Sequence, residues 1–131
     1  MVDTVERLLE LISLLRDINV VLNEAVRLAR NYGVDVYLIG GKVKLADDFE
    51  CYMDVCLLKT QDYLIRVHED GSMDKIMDKM PLRGLDIVKA SRDEVENALA
   101  HYEERVNSTI KSLRELRETL AVVAATAKLA S

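Results

Sequence analysis

Two cysteines, two histidines and a short acidic run are the side chains in this 131-residue chain whose types suggest chemistry. Cys51, Cys56, His68 and His101 are its complete stock of thiol and imidazole groups. A structural zinc site needs such groups to converge tetrahedrally from close-spaced pairs. The cysteines stand five positions apart, which on one regular strand points them to opposite faces. Cys51 then shares its face with Phe49, Met53, Val55 and Leu57, the surroundings expected of a buried structural thiol. Asp47, Asp48, Glu50 and Asp54, with His68 as a nitrogen donor, are the weak candidates for a hard cation. They lack EF-hand spacing and the glycine that turns such a loop, and a solvated strand face explains them equally well.

His68 precedes Glu69 and Asp70, so a carboxylate could orient an imidazole for acid–base work. No Ser or Cys accompanies it in a nucleophile-elbow pattern, and His101 falls beside an apolar helical seam. Gly40-Gly41-Lys42 matches the end of a phosphate loop, but the upstream glycine is absent and Val43 replaces the hydroxyl residue. Asn107-Ser108-Thr109 is a glycosylation sequon placed inside a helical pattern. Tyr37, Tyr52 and Tyr63 are expected on the outer or edge side of a sheet, as a contact surface or as cross-strand pairs. The expectation is a non-enzyme with no cofactor, no catalytic residue and no resident metal.

Half of the residues are apolar, 31% are charged and the net charge is −5. One domain spanning 1–131 can build a core from this without staples. The acidic balance and the lack of a Lys/Arg run exclude a general nucleic-acid binder. No basic segment leads into an apolar run at the N-terminus, and no window matches a membrane span. Two cysteines are too few for a disulfide framework, so the expected setting is cytoplasmic. The scarcity of Gln and the abundance of charge hint at a thermophilic source.

These residues must be positioned by three kinds of element. Residues 3–32 read as a helix, opened by Asp3 and Glu6 in capping-box spacing and stopped at Asn31-Tyr32-Gly33. It carries two apolar seams, Val5, Leu8, Ile12, Leu15, Leu22, Val26 and Ala29, and Leu11, Leu14, Ile18, Val21, Ala25 and Leu28. An arc that wide requires cover on two sides. Residues 34–77 switch to period two, with a hairpin at Gly40-Gly41 and turns at Thr60-Gln61-Asp62 and Asp70-Gly71. Phe49 through Leu57 read as one continuous strand. The pattern predicts a four- or five-stranded antiparallel meander. Pro81 ends it, and 82–90 fits either an irregular segment or a short helix.

A second capping box, Ser91 with Glu94, opens a helix over 91–130. Its seam is Val95, Leu99, Tyr102, Val106, Thr109, Leu113, Leu116, Leu120, Val123 and Ala127, the 3,4 spacing of helix-on-helix packing. Thr109, and Asn19 in the first helix, are polar seam positions able to fix register.

The expected fold is therefore α+β: a long N-terminal helix, a small antiparallel sheet, and a long C-terminal helix packed antiparallel on the first. With about 30 and about 40 residues at 1.5 Å each, the second helix overhangs by roughly 15 Å near 121–130. That coiled-coil-like end, through Leu113, Leu116, Leu120, Val123, Ala124 and Ala127, is the expected interface of a homo-oligomer, a dimer or larger, or with another protein partner. The expected function is an interaction protein assembling through its helices and displaying the sheet. The alternative is a small-molecule- or metal-responsive sensor, or a minor enzyme, with its site between sheet and helices.

Overall fold

A computed structural model describes residues 3–31, 41–77 and 87–130, with backbone alone for a few helical positions, Ala127 among them. The predicted helix stop at Tyr32 and Gly33, the strand at 34–38 with Tyr37, Gly40, Pro81 and 82–86 lie outside the described residues. The elements run α1 (Thr4–Asn31), β1 (Lys42–Ala46), β2 (Phe49–Tyr52), β3 (Val55–Lys59), β4 (Tyr63–His68), β5 (Met73–Met77), β6 (Ile87–Lys89), α2 (Arg92–Leu99), a 3-10 turn (Ala100–Tyr102) and α3 (Glu103–Ala130). The α+β class holds.

The first helix starts where its capping signal stands. The Glu6 amide donates to Asp3 Oδ1 at 3.2 Å, which satisfies one of the unpaired N–H groups of the first turn. Two more are satisfied from far along the chain: the amides of Thr4 and Val5 donate to the Glu96 carboxylate at 3.1 and 2.8 Å. Arg92 of α2 closes the same corner on Asp3 and Glu6. Glu96→Ala is expected to cost about 1–3 kcal/mol, because two helix-terminal donors lose a charged acceptor. Chemical denaturation checks this, and a loss below about 0.5 kcal/mol would mean that water replaces the carboxylate freely.

Both apolar seams of α1 are buried as far as Leu15 and Ile18. Strands β2, β3 and β4 contact α1, and so does α3, the two-sided cover that the wide arc demanded. Among the described residues the sheet has six strands in sequence order, all neighbours antiparallel. It exceeds the expected count in two places. Within the described part of 82–90 lies a strand, Ile87–Lys89, paired with β5. The continuous run predicted from Phe49 to Leu57 is a hairpin that turns at Met53 and Asp54, pairing Cys51 with Cys56. Neither turn residue is Gly or Pro, and Glu50, Tyr52 and Asp54 carry the alternation across the turn. Periodicity alone could not find it. The turns at Thr60 and at Asp70-Gly71 stand as expected, Gly71 having φ +87.

The C-terminal helix breaks at Ala100–Tyr102 where one helix over 91–130 was expected, and its direction differs from expectation too. Arg7 meets Glu103 and Asn107, Glu10 meets Arg114, Asp17 meets Arg117 and Glu24 meets Lys128. Both numbers rise together, so α1 and α3 run parallel, not antiparallel. A 3,4 apolar spacing reads the same from either end. Exposed ion pairs are worth about 0–1 kcal/mol each, so buried side chains carry the stability and the pairs report the direction. Parallel packing also removes the expected overhang, because 121–130 lies beside the second half of α1. Past Ile18 and Leu113, Ala124 alone is fully buried among the described side chains. The two helices continue there as a thinly covered arm.

Candidate functional site

The sheet has a core face and an outer face, and the candidate residues divide between them. Cys51 and Cys56 stand opposite each other and form a disulfide across β2 and β3, both essentially inaccessible to solvent. The free-thiol expectation is corrected by the hairpin turn, which resets the alternation and brings both cysteines to the core face. Neither is available to bind a metal. The disulfide also removes the cysteine-based argument for a cytoplasmic setting, since such bonds persist mainly in oxidising compartments. No helix among the described residues is long and apolar enough to cross a membrane.

The acidic candidates disperse. Asp47 pairs with Lys44 at 3.4 Å, Asp48 accepts from the Tyr102 hydroxyl at 2.9 Å, and Glu50 pairs with Lys42 at 2.9 Å while accepting from Tyr52. Hydrogen bonds from Lys42 and Tyr52 hold the Glu50 carboxyl below its ordinary value. Burial, reinforced by Asp48, pushes the Tyr102 hydroxyl up. Among the described residues no three His, Cys, Asp or Glu side chains come together to hold a metal ion.

His68 does find an orienting carboxylate, but not one beside it in sequence. Its Nε2 lies 2.9 Å from Asp74 Oδ2, and Arg66 grips the same carboxylate at 2.5 and 3.0 Å. Arg66 and Asp74 are direct cross-strand partners. Burial pushes Asp74 up, yet Arg66 and His68 outweigh it and hold the carboxyl below its usual range. A carboxylate engaged by a guanidinium serves poorly as a base. Ser72, the nearest hydroxyl in sequence, donates instead to Asp70 at 2.6 Å. His101 is exposed on the 3-10 turn. The alternation placed Arg66 and His68 on the polar face; their partner needed the register of β4 against β5.

A cleft of about 620 Å³ opens where α1 passes the start of β1 and the β2–β3 turn, lined by Arg16, Asn19, Val20, Gly41, Lys42, Tyr52, Met53 and Asp54. Gly41 has φ +94, and a Cβ there would stand 3.0 Å from the Met53 methyl, so this corner requires glycine. The cations at the cleft are already engaged, Arg16 with Glu69 and Lys42 with Glu50. Asp54 also lines a smaller depression of about 250 Å³ with His68, Glu69, Asp70 and Ser72. Tyr52 faces outward under Lys42, whereas Tyr63 packs against the core, so these two do not share a surface.

The expected interface residues separate as well. Leu113 and Ala124 are buried and Leu120 is partly so, packed in the same chain, while Leu116 and Val123 stay about half exposed. The seam that faces α1 runs through Val106, Ile110, Leu113, Leu120 and Ala124, with Ile110 buried in place of the expected Thr109. Comparison with protein-family models, with curated proteins and with solved structures finds no match to this chain.

Proposed function

We propose that this protein is a non-enzymatic interaction protein that self-associates through its helical arm and carries the six-stranded sheet as a head. One observation carries the reading. Apolar side chains on the arm remain exposed, Val20 at 66%, Leu116 at 45%, Val122 at 66%, Val123 at 51% and Leu129 at 90%. Single exposed apolar residues need no explanation, but four along the second half of α3, with Val20 on the neighbouring α1, mark a contact surface. The parallel α1–α3 pair supplies a platform with both helices at hand.

Solution mass across a concentration series tests this. Self-association that disappears on truncation after Leu120, with the sheet still folded, is the expected result. A monomer with an ordered C-terminal helix overturns the proposal. The 620 Å³ cleft favours a second reading, a small-molecule sensor with its site between α1 and the β2–β3 turn. The monomer result is also the one that promotes it.

A further inference from the structure

The arm exposes apolar side chains in more than one direction, and one of these directions differs from the rest in charge. Thr109, Ser112, Leu116, Thr119, Val123 and Thr126 follow one another along α3 at spacings of three and four. From Ser112 onward every one of them is exposed. In a chain that is 31% charged, this stripe holds no charge. On one side of it run Lys111, Glu115 and Glu118; on the other lies the seam packed against α1, with Arg114, Arg117 and Lys128 beyond that seam and engaged with α1. The hydroxyls do not need an outside partner. Thr109 donates to the Arg105 carbonyl at 2.6 Å, Thr119 to Glu115 at 3.0 Å and Thr126 to Val122 at 2.8 Å.

We infer that this stripe is the self-association face and that its occupant is the same stripe of a second copy, related by a two-fold axis. The inference rests on the self-association proposed above and names the surface responsible. Two properties select the occupant. A 3,4 repeat extending about 25 Å fits another helix crossing at a shallow angle, and neither a flat lipid surface nor an extended peptide has that period. A two-fold axis sets a patch against itself, so any net charge there meets like charge. A neutral stripe avoids that repulsion. An acidic or basic partner would be matched by a stripe of the opposite charge.

The test uses the full chain, with mass measured over a concentration series and helix content monitored by circular dichroism. Leu116→Glu with Val123→Glu is expected to weaken association about a hundred-fold or more, since like charges then face each other. Ala121→Glu with Ala125→Glu, both exposed on the opposite side of α3, is expected to leave it unchanged. The reverse pattern overturns the stripe while self-association stands, and a monomeric wild type overturns both. Should the stripe variant lose helix content, Thr119→Cys decides: covalent dimer on mild oxidation supports the two-fold face, and monomer under the same conditions overturns it.

Discussion

Phe49→Ala is expected to cost about 3–5 kcal/mol, a large part of the stability of a domain this size. Phe49 is 1% exposed and stands at the start of β2 in a T-shaped contact with Tyr102, ring centroids 5.1 Å apart at 79°. Tyr102 ends the 3-10 turn between α2 and α3 and anchors its hydroxyl on Asp48, one residue before Phe49. The pair therefore joins the first hairpin to the break in the C-terminal helix. Truncation leaves a cavity that this corner cannot collapse without moving the helix. Tyr102→Phe keeps the ring contact and forfeits one partly exposed hydrogen bond, for about 0.5–1.5 kcal/mol. Urea unfolding at constant m-value measures both. Equal losses for the two variants would show that the ring packing is not what holds the corner.

Joint replacement of Cys51 and Cys56 by alanine is the second large change, expected to cost roughly 2–4 kcal/mol. The bridge closes a loop of only five residues in separation, so loop-closure entropy accounts for the lower end of that range. Loss of two fully buried side chains between the sheet and α1 supplies the rest. Because a thiolate must reach a sulfur to reduce it, a dithiol should act slowly on the native protein and quickly in urea. Thiol titration of the denatured chain without reductant is expected to find none. Two titratable thiols would overturn the bridge.

That bridge shows how far the pattern reached. Alternation located most residues of the first five strands but not β6, and Leu45, Phe49, Cys51, Ile65 and Val67 are buried as the period required. It failed at Met53 and Asp54, where a turn of two ordinary residues continued the polar–apolar rhythm. A single missed turn shifted all later residues of that run to the wrong face, and with them Cys56. Glu96 escaped notice for a different reason. It is an ordinary surface-type residue of α2, and nothing near it in sequence marks it as the cap of a helix over ninety positions earlier. The candidate site fared likewise: the polar face of His68 was legible, while Asp74 as its partner depended on strand register.

By itself the sequence determined the two long helical regions, the sheet between them, the local capping residues Asp3 and Ser91, and which faces must be covered. These follow from local stereochemistry and from the cost of leaving apolar surface in water, and both are written in neighbouring residues. Only the tertiary structure decided that α1 and α3 run parallel, that the cysteines meet, and that Leu113 and Ala124 are consumed within the chain while Leu116 and Val123 are not. An apolar period has no direction, and an exposed ion pair is too weak to be foreseen from composition. What remains after the chain has covered itself is known only once every helix has chosen its neighbour.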